Sequence, residues 1–246
     1  MHRFFAPALD PGDETTTLPL LEGDHLTRVL RLGAGDTVSV FDGRGREFLA
    51  RVINATRGAV RVQLVSAVKP VAEPAVAITL VQAVLKADKM DDVVRDAVML
   101  GVAAVQPVIT KRTEVTVAAL LRGARVDRWR RVALASVKQS GRAIVPQIRG
   151  PLTLDNYFAA DLAVPALMLV EPGASADALS VSTLRGEPTP AEAAVLIGPE
   201  GGWAEEERTS AASHGARLVT LGGRILRADA APVVAISVLQ LIWGDL

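Results

Sequence analysis

The chain has no cysteine. That excludes disulfides, thiolate zinc sites and cysteine nucleophiles. Histidine is scarce, and His2, His25 and His214 are far apart, so no transition-metal site is expected. Charge of either sign is not in excess: Lys plus Arg is 27 and Asp plus Glu is 27. Any nucleic-acid partner must therefore be sought in the local distribution of charge. No apolar run reaches the ~18 residues of a membrane span. Mean hydropathy is nevertheless +0.30, raised by Ala and Val. The most apolar stretch, Phe158 to Val170, is interrupted by Asp161 and Pro165. Met1-His2-Arg3-Phe4-Phe5 lacks the apolar region and cleavage site of a signal peptide. A soluble cytoplasmic protein is expected. What is there is globular: 246 residues, 50% hydrophobic and 22% charged, enough for one large domain or two modest ones.

The first ~70 residues read as β. Thr37 to Phe41, Glu47 to Ile53 and Ala59 to Val65 are predicted strands. Gly33, Gly35, Gly43, Gly45 and Gly58 punctuate them, as in a small barrel or sandwich. A short helix is predicted over Asp24 to Arg31, with Asp24 as N-cap. Its His25, Arg28 and Arg31 would face one way. Lys69 to Pro74 holds two prolines and reads as a linker. Beyond it, buried strands (Val76 to Leu85, Ala103 to Ile109, Leu167 to Val170, Val195 to Ile197, Arg217 to Leu221) alternate with helices. The helices are Asp88 to Leu100, Val126 to Gln139, Ala204 to His214 and Asp229 to Trp243. Leu179 to Ala194 reads as a loop or loose helix. Such alternation predicts an α/β domain with a mostly parallel sheet.

The neutral total hides a dipolar chain. Arg122, Arg125, Arg128, Arg130, Arg131, Lys138, Arg142 and Arg149 face only Asp127 between Leu121 and Arg149. Glu171 to Gly215 is acidic, with Arg185 and Arg208 alone opposing. The basic segment could track a phosphate backbone, or be a solvated helix face.

Two glycine-bearing loops carry the strongest signal. Leu196-Ile197-Gly198-Pro199-Glu200-Gly201-Gly202-Trp203 and Leu221-Gly222-Gly223-Arg224-Ile225-Leu226-Arg227 each follow a strand and precede a helix. Loops at the carboxyl ends of neighbouring parallel strands are where an α/β sheet binds ligands. Tight turns that need glycine for geometry alone are the plainer alternative. Glu205, Glu206 and Glu207 at the start of the following helix complement its dipole and argue against a phosphate there. There is no GxxxxGK[ST], no GxGxxG in the first βα turn of the second domain, no GxSxG and no HExxH.

These blocks, taken together, resemble the bacterial 16S ribosomal RNA uridine-N3 methyltransferases, a branch of the SPOUT methyltransferases. The matching pieces begin with His25-Leu26, Val29-Leu30-Arg31, Gly35-Asp36 and Asp42-Gly43. Lys86, Asp88-Lys89-Met90, Leu100-Gly101-Val102, Pro107 and Arg112 follow. Arg128-Trp129, Gln139-Ser140-Gly141-Arg142, Val145-Pro146, Ile197 to Gly202, Leu221-Gly222, Ile225-Leu226-Arg227 and Gly244-Asp245 complete the series. The resemblance implies an RNA-binding PUA-like β-barrel over residues 1–70. It implies a SPOUT α/β domain over 75–246, threaded into a trefoil knot. It also implies a homodimer, S-adenosylmethionine as methyl donor, and one uridine in the decoding region of 16S rRNA, within the assembled small subunit, as substrate. Where the family often has Thr-Glu-Thr-Ala, this chain has Ala228-Asp229-Ala230-Ala231, and Asp229 is not assigned as a base. Asp96 and Met99, which stand where the family commonly has a basic and an acidic residue, are assigned no role.

Uridine N3 is about as weakly acidic as a phenol, with a pKa of about 10. The protein must remove that proton or stabilise charge on the flanking carbonyl oxygens. Arg227 is the leading catalytic candidate, because an arginine fork donates to oxygens and stays charged. Glu200 is the best-placed carboxylate, unless it orders its loop or balances the sulfonium instead. Leu196, Ile197, Gly198, Pro199, Glu200, Gly201, Gly202, Leu221, Gly222, Ile225, Leu226 and Arg227 are expected around the cofactor, and no metal is required. Arg28, Arg31, Lys86, Lys89, Arg112, Gln139, Ser140 and Arg142 are the expected RNA contacts. Trp129 is expected in packing, and Trp203 over the cofactor loop or as a plain anchor. The competing readings are a SPOUT enzyme acting on a ribose 2′-hydroxyl of tRNA or 23S rRNA, and a non-catalytic ribosome-assembly protein.

Overall fold

A computed structural model describes residues 1–56, 59–160 and 164–246. Gly58 and Asp161 lie outside the described residues. The chain forms two compact units, Met1–Ala72 with Val137–Val145, and Glu73–Ser136 with Pro146–Leu246. The sequence reading places Val137 to Val145 in the second domain, whereas it clusters with the first unit. The cause is a set of polar ties invisible in sequence. The Arg3 guanidinium donates to the carbonyls of Val137 (3.0 Å), Lys138 (3.2 Å) and Arg142 (2.8 Å). Lys138 Nζ pairs with Glu22 at 2.8 Å.

The first unit is a five-stranded sheet in the order β1-β3-β4-β5-β2. Its strands are β1 (Arg3–Phe5), β2 (Thr15–Thr17), β3 (Thr37–Phe41), β4 (Glu47–Thr56) and β5 (Ala59–Val68). β1 runs parallel to β3, and the other pairs are antiparallel. Alternating residues close the core: Val38 and Val40 on β3, Ala50 and Val52 on β4, Val60 and Val62 on β5. Phe4, Leu9, Leu18 and Leu26 fill the rest.

The predicted helix is displaced. α1 (Leu20–Asp24) starts behind Pro19 and runs into a π-helical turn, His25–Val29. Asp24 lies inside this helical run and caps nothing. It pairs with Arg28 at 3.5 Å instead. The π-turn is closed by the Leu30 amide on the His25 carbonyl, 3.1 Å. Arg31 stands beyond the helix at φ 56°, so it does not share a helical face with His25 and Arg28.

The second unit is built on a parallel sheet in the order β11-β13-β10-β12-β6-β7-β8, with β9 also paired to β7. In chain order the elements are β6 (Ala77–Ala83), α2 (Lys89–Met99), β7 (Ala104–Ile109), α3 (Val117–Arg122) and α4 (Arg125–Ser140), whose residues from Val137 on cluster with the first unit. Then come β8 (Gln147–Ile148), β9 (Leu152–Thr153), α5 (Leu154–Ala159), β10 (Ala166–Leu169) and β11 (Leu179–Ser180). A 3₁₀ turn (Val181–Gly186) leads to β12 (Glu192–Ile197), α6 (Glu205–Ser213), β13 (Arg217–Thr220) and α7 (Ala231–Trp243). The core joins Val81, Ala83 and Val108 to Met168, Leu196 and Phe158. Asp88 stands at the start of α2, as predicted, but its side chain makes no cap bond and faces Arg128 at 3.2 Å. α7 begins two residues later than predicted. The Arg227 carbonyl takes the amides of Ala230 and Ala231, and this turn, followed by Pro232, sets the start. Among the described residues, no helix is long and apolar enough to cross a membrane.

Candidate active site

In a parallel sheet every strand delivers its carboxyl end to the same edge. β13, β10 and β12 are neighbours in that order. Their three exit loops enclose a cavity of about 680 Å³. That lies within the roughly 300–1,000 Å³ of small-molecule sites.

The loop after β12 supplies Ile197, Gly198, Pro199, Glu200, Gly202 and Trp203 to the wall. Two of its glycines are dictated by close approach. A Cβ on Gly198 would stand 3.2 Å from the Trp203 ring, whose Nε1 donates to the Leu169 carbonyl at 2.8 Å. Gly202 has φ +68°, and a Cβ there would lie 3.1 Å from Glu171 Oε1. Leu196 is fully buried beneath the loop. Gly201 does not line the cavity, but its carbonyl accepts a hydrogen bond from Arg112. Glu207 ties α6 to this region. Its carboxylate accepts from the Ala204 amide and the Lys111 amide, both at 2.8 Å.

Glu200 Oε1 accepts from Lys89 Nζ at 2.7 Å and from the Lys86 amide at 3.2 Å. Burial opposes its ionisation, but the Lys89 and backbone hydrogen bonds outweigh burial and hold its carboxyl below the usual range. An ionised, doubly held carboxylate orders the loop and is a poor proton acceptor at neutral pH.

The loop after β13 contributes Leu221, Arg224, Ile225, Leu226 and Arg227. Gly222 is outside the wall, at φ +97°. The Arg227 side chain is 77% exposed and forks onto Asp229, Nε to Oδ1 at 3.0 Å and Nη2 to Oδ2 at 2.8 Å. This pairing raises the Arg227 pKa and lowers that of Asp229. The third loop, after β10, was missed from sequence. It brings Glu171, Pro172 and Ala174 to the cavity. The available signal was Glu171-Pro172-Gly173 directly after the apolar run Leu167 to Val170.

The expected RNA contacts separate into groups. Lys89 and Arg112 line the cavity. Lys86 pairs with Glu114 at 2.5 Å. Arg142 is only 4% exposed and so is not a surface contact. Arg28, Arg31 and Gln139 are exposed on the first unit, while Ser140 is half-buried there with its hydroxyl on the Val137 carbonyl. The basic run of α4 is largely neutralised. Arg128 meets Asp88 and Asp91, Arg130 meets Asp127, and Arg125 donates to the carbonyls of Leu85 and Ala87. Trp129 is buried, and among the described residues no cluster of His, Asp and Glu side chains suits a metal ion.

A ligand cavity at three parallel strand ends, in a chain that also carries a small β unit, defines a two-part α/β enzyme architecture. Residues 72–240 match the family model described as RNA methyltransferase domain, and residues 22–65 match the RNA methyltransferase PUA domain. The chain is an RNA methyltransferase with an N-terminal PUA-like domain. It is 32% identical to Ribosomal RNA small subunit methyltransferase E of Synechocystis, over 92% of this chain and 72% of that protein. The solved structure of Ribosomal RNA small subunit methyltransferase E from Neisseria gonorrhoeae, bound to S-adenosyl methionine, superposes with a TM-score of 0.87. The two share 31% identity, over 100% of this chain and 99% of that one. A putative methyltransferase from Legionella pneumophila with bound SAM gives a TM-score of 0.87 at 30% identity, over 97% of this chain and 96% of that one. The chain belongs to the ribosomal RNA small subunit methyltransferase E family.

Proposed function

We propose that the chain transfers a methyl group from S-adenosylmethionine to N3 of one uridine in the decoding region of 16S rRNA. In this reading it is a cytoplasmic homodimer acting on the assembled small subunit. The observation that carries the reading is the three-loop cavity, in a chain of this family. The residues present fit the cofactor. Gly198, Pro199, Glu200 and Gly202 bring the loop after β12 to the cavity wall. Ile197, Leu221 and Leu226 offer apolar surface for an adenine ring. S-adenosylmethionine supplies, when bound, an electrophilic methyl group on a positively charged sulfur.

Arg227 is the group assigned to the base. Asp229 occupies two of its five N–H donors, leaving three for uracil carbonyl oxygens. Donation there favours the N3 anion, so the proton can pass to solvent. Glu200 has the loop-ordering role, held by Lys89. Arg28, Arg31 and Gln139 are the surface we assign to RNA. The reading keeps the trefoil knot that the resemblance implies. The homodimer is supported by α7, an apolar helix that leaves Val234 and Leu241 exposed, the latter at 56%.

The test offers labelled S-adenosylmethionine with small subunits lacking the modification, with naked 16S rRNA and with tRNA. N3-methyluridine on subunits is the expected product. Arg227→Ala should lower the rate about 10²–10³-fold, as for loss of an oxyanion donor. A ribose-methylated product would move the chain to the other SPOUT branch. Tight subunit binding without transfer would make it an assembly factor.

A further inference from the structure

Among the described residues the cavity wall holds three carboxylates, and two of them are already paired. Glu200 is bound to Lys89 and the Lys86 amide. Asp229 is bound at both oxygens by Arg227. Glu171 is different. Its side chain lines the cavity and has no hydrogen-bond or ion-pair partner among the described residues. It comes from the exit of β10, the middle strand of the three, and so stands between the two glycine loops. Its Oε1 lies against Gly202, at the point where a Cβ would stand 3.1 Å away. The missing Cβ of Gly202 is what admits this carboxylate to the wall.

The rest of the wall is cationic. Lys89, Arg112, Arg208, Arg224 and Arg227 all contribute. Cations outnumber carboxylates there, even before the paired ones are discounted. That composition suits RNA phosphate, yet it disfavours a cofactor with two cationic centres, a sulfonium and an ammonium, against one carboxylate. A net positive ligand in a net positive cavity needs a local anion, and among the described residues the only carboxylate of the wall not already engaged is Glu171.

We propose that Glu171 is the counter-ion of the cationic methionyl part of S-adenosylmethionine, and so a binding residue of the cofactor site. This rests on the cofactor assignment above. The role depends on charge, because a charge-assisted contact is about twice as strong as a neutral one. The isosteric neutral variant Glu171→Gln should therefore bind the cofactor more weakly while folding normally, since it alters an exposed side chain that supports no other residue.

The experiment is calorimetric titration of the full chain and of Glu171→Gln with three nucleosides. These are S-adenosylmethionine, S-adenosylhomocysteine and the uncharged 5′-methylthioadenosine. The expected result is a loss of about ten-fold or more for S-adenosylmethionine in the variant, with 5′-methylthioadenosine unchanged. An equal loss for S-adenosylhomocysteine assigns the contact to the ammonium, which both ligands carry. An unchanged S-adenosylhomocysteine assigns it to the sulfonium, and Glu171 then discriminates cofactor from product. Equal affinity of variant and wild type for S-adenosylmethionine would overturn the proposal and leave the enzyme reading intact. An equal loss for 5′-methylthioadenosine would also overturn it, because the effect would not follow charge. Failure of the wild-type chain to bind S-adenosylmethionine would overturn both.

Discussion

Lys89 and Glu200 meet at 2.7 Å, and that contact decides what each can do. Lys89, expected as an RNA contact, is paired with Glu200 in the cavity wall. In the proposed function Glu200 orders its loop and takes no part in proton transfer. Burial works against the Glu200 charge, but its hydrogen bonds win, so its folded pKa lies below the unfolded value. A group depressed in this way contributes stability above its unfolded pKa and loses it as pH falls through the folded one. Cofactor binding should therefore hold from neutral pH to about pH 5 and weaken only in the carboxylate range below. Lys89→Ala should raise the Glu200 pKa towards its ordinary value and weaken binding several-fold already at pH 7. Carboxyl NMR titration and calorimetry read the two effects. An unmoved Glu200 would show that the backbone donor suffices. The place of Glu200 and Arg227 at the cavity was legible because they sit in glycine loops behind strands. Glu171 was not, because a lone glutamate after a strand matches no pattern. The Arg227–Asp229 fork was hidden in a stretch that read only as a departure from the family.

Arg3 and Glu47 show how elements of the first unit are held. Arg3, on β1, forms a two-point bond to Glu47 on β4, at 2.9 and 2.8 Å, and Ser39 on β3 also donates to that carboxylate. Its remaining donors meet open carbonyls at the end of α4, where a cation is favoured. Burial opposes the Glu47 charge, and the Arg3 and Ser39 hydrogen bonds overcome it and lower the pKa. Arg3→Ala would strand a buried carboxylate and should destabilise the chain by about 3–5 kcal/mol, measured by urea unfolding. The deficit should shrink as pH falls below the carboxylate range, where Glu47 is neutral in both states. A change under 1 kcal/mol, on the order of a surface pair, would contradict this account. Elements with several residues of clear period were legible, as β3, β7 and α4 were. β1, β2, β8, β9 and β11 have two or three residues each and carry no period. The first helix was misplaced because Asp24 fits an N-cap while Pro19 starts the turn.

At the scale of the whole molecule, the proposed function assigns recognition and chemistry to different residues. Arg28 and Arg31 are exposed on the PUA-like unit, whereas Lys89 and Arg112 belong to the cavity wall. Arg28→Ala and Arg31→Ala should each lower the salt dependence of RNA binding by about one phosphate contact, with cofactor affinity unchanged. Arg112→Ala should lower that salt dependence too, and also weaken cofactor binding by releasing the Gly201 carbonyl. Filter binding over a salt series reads the slopes and cofactor titration separates the two kinds of variant. An unaltered slope for both PUA-unit variants would remove that face from the RNA interface. The two-part organisation was legible from the Lys69 to Pro74 break and the change from short strands to strand–helix alternation. The placement of Val137 to Val145 was not, because it depends on Arg3 and Glu22, more than a hundred residues away.

The most direct measurement is made in cells. The chain is expressed in a bacterium whose own small-subunit uridine-N3 methyltransferase has been deleted, and the nucleosides of its 16S rRNA are read by mass spectrometry. The account predicts that N3-methyluridine returns with the wild-type chain and not with Arg227→Ala. Its absence with a stable, cofactor-binding wild-type chain, or its appearance as a ribose-methylated nucleoside instead, would contradict the account.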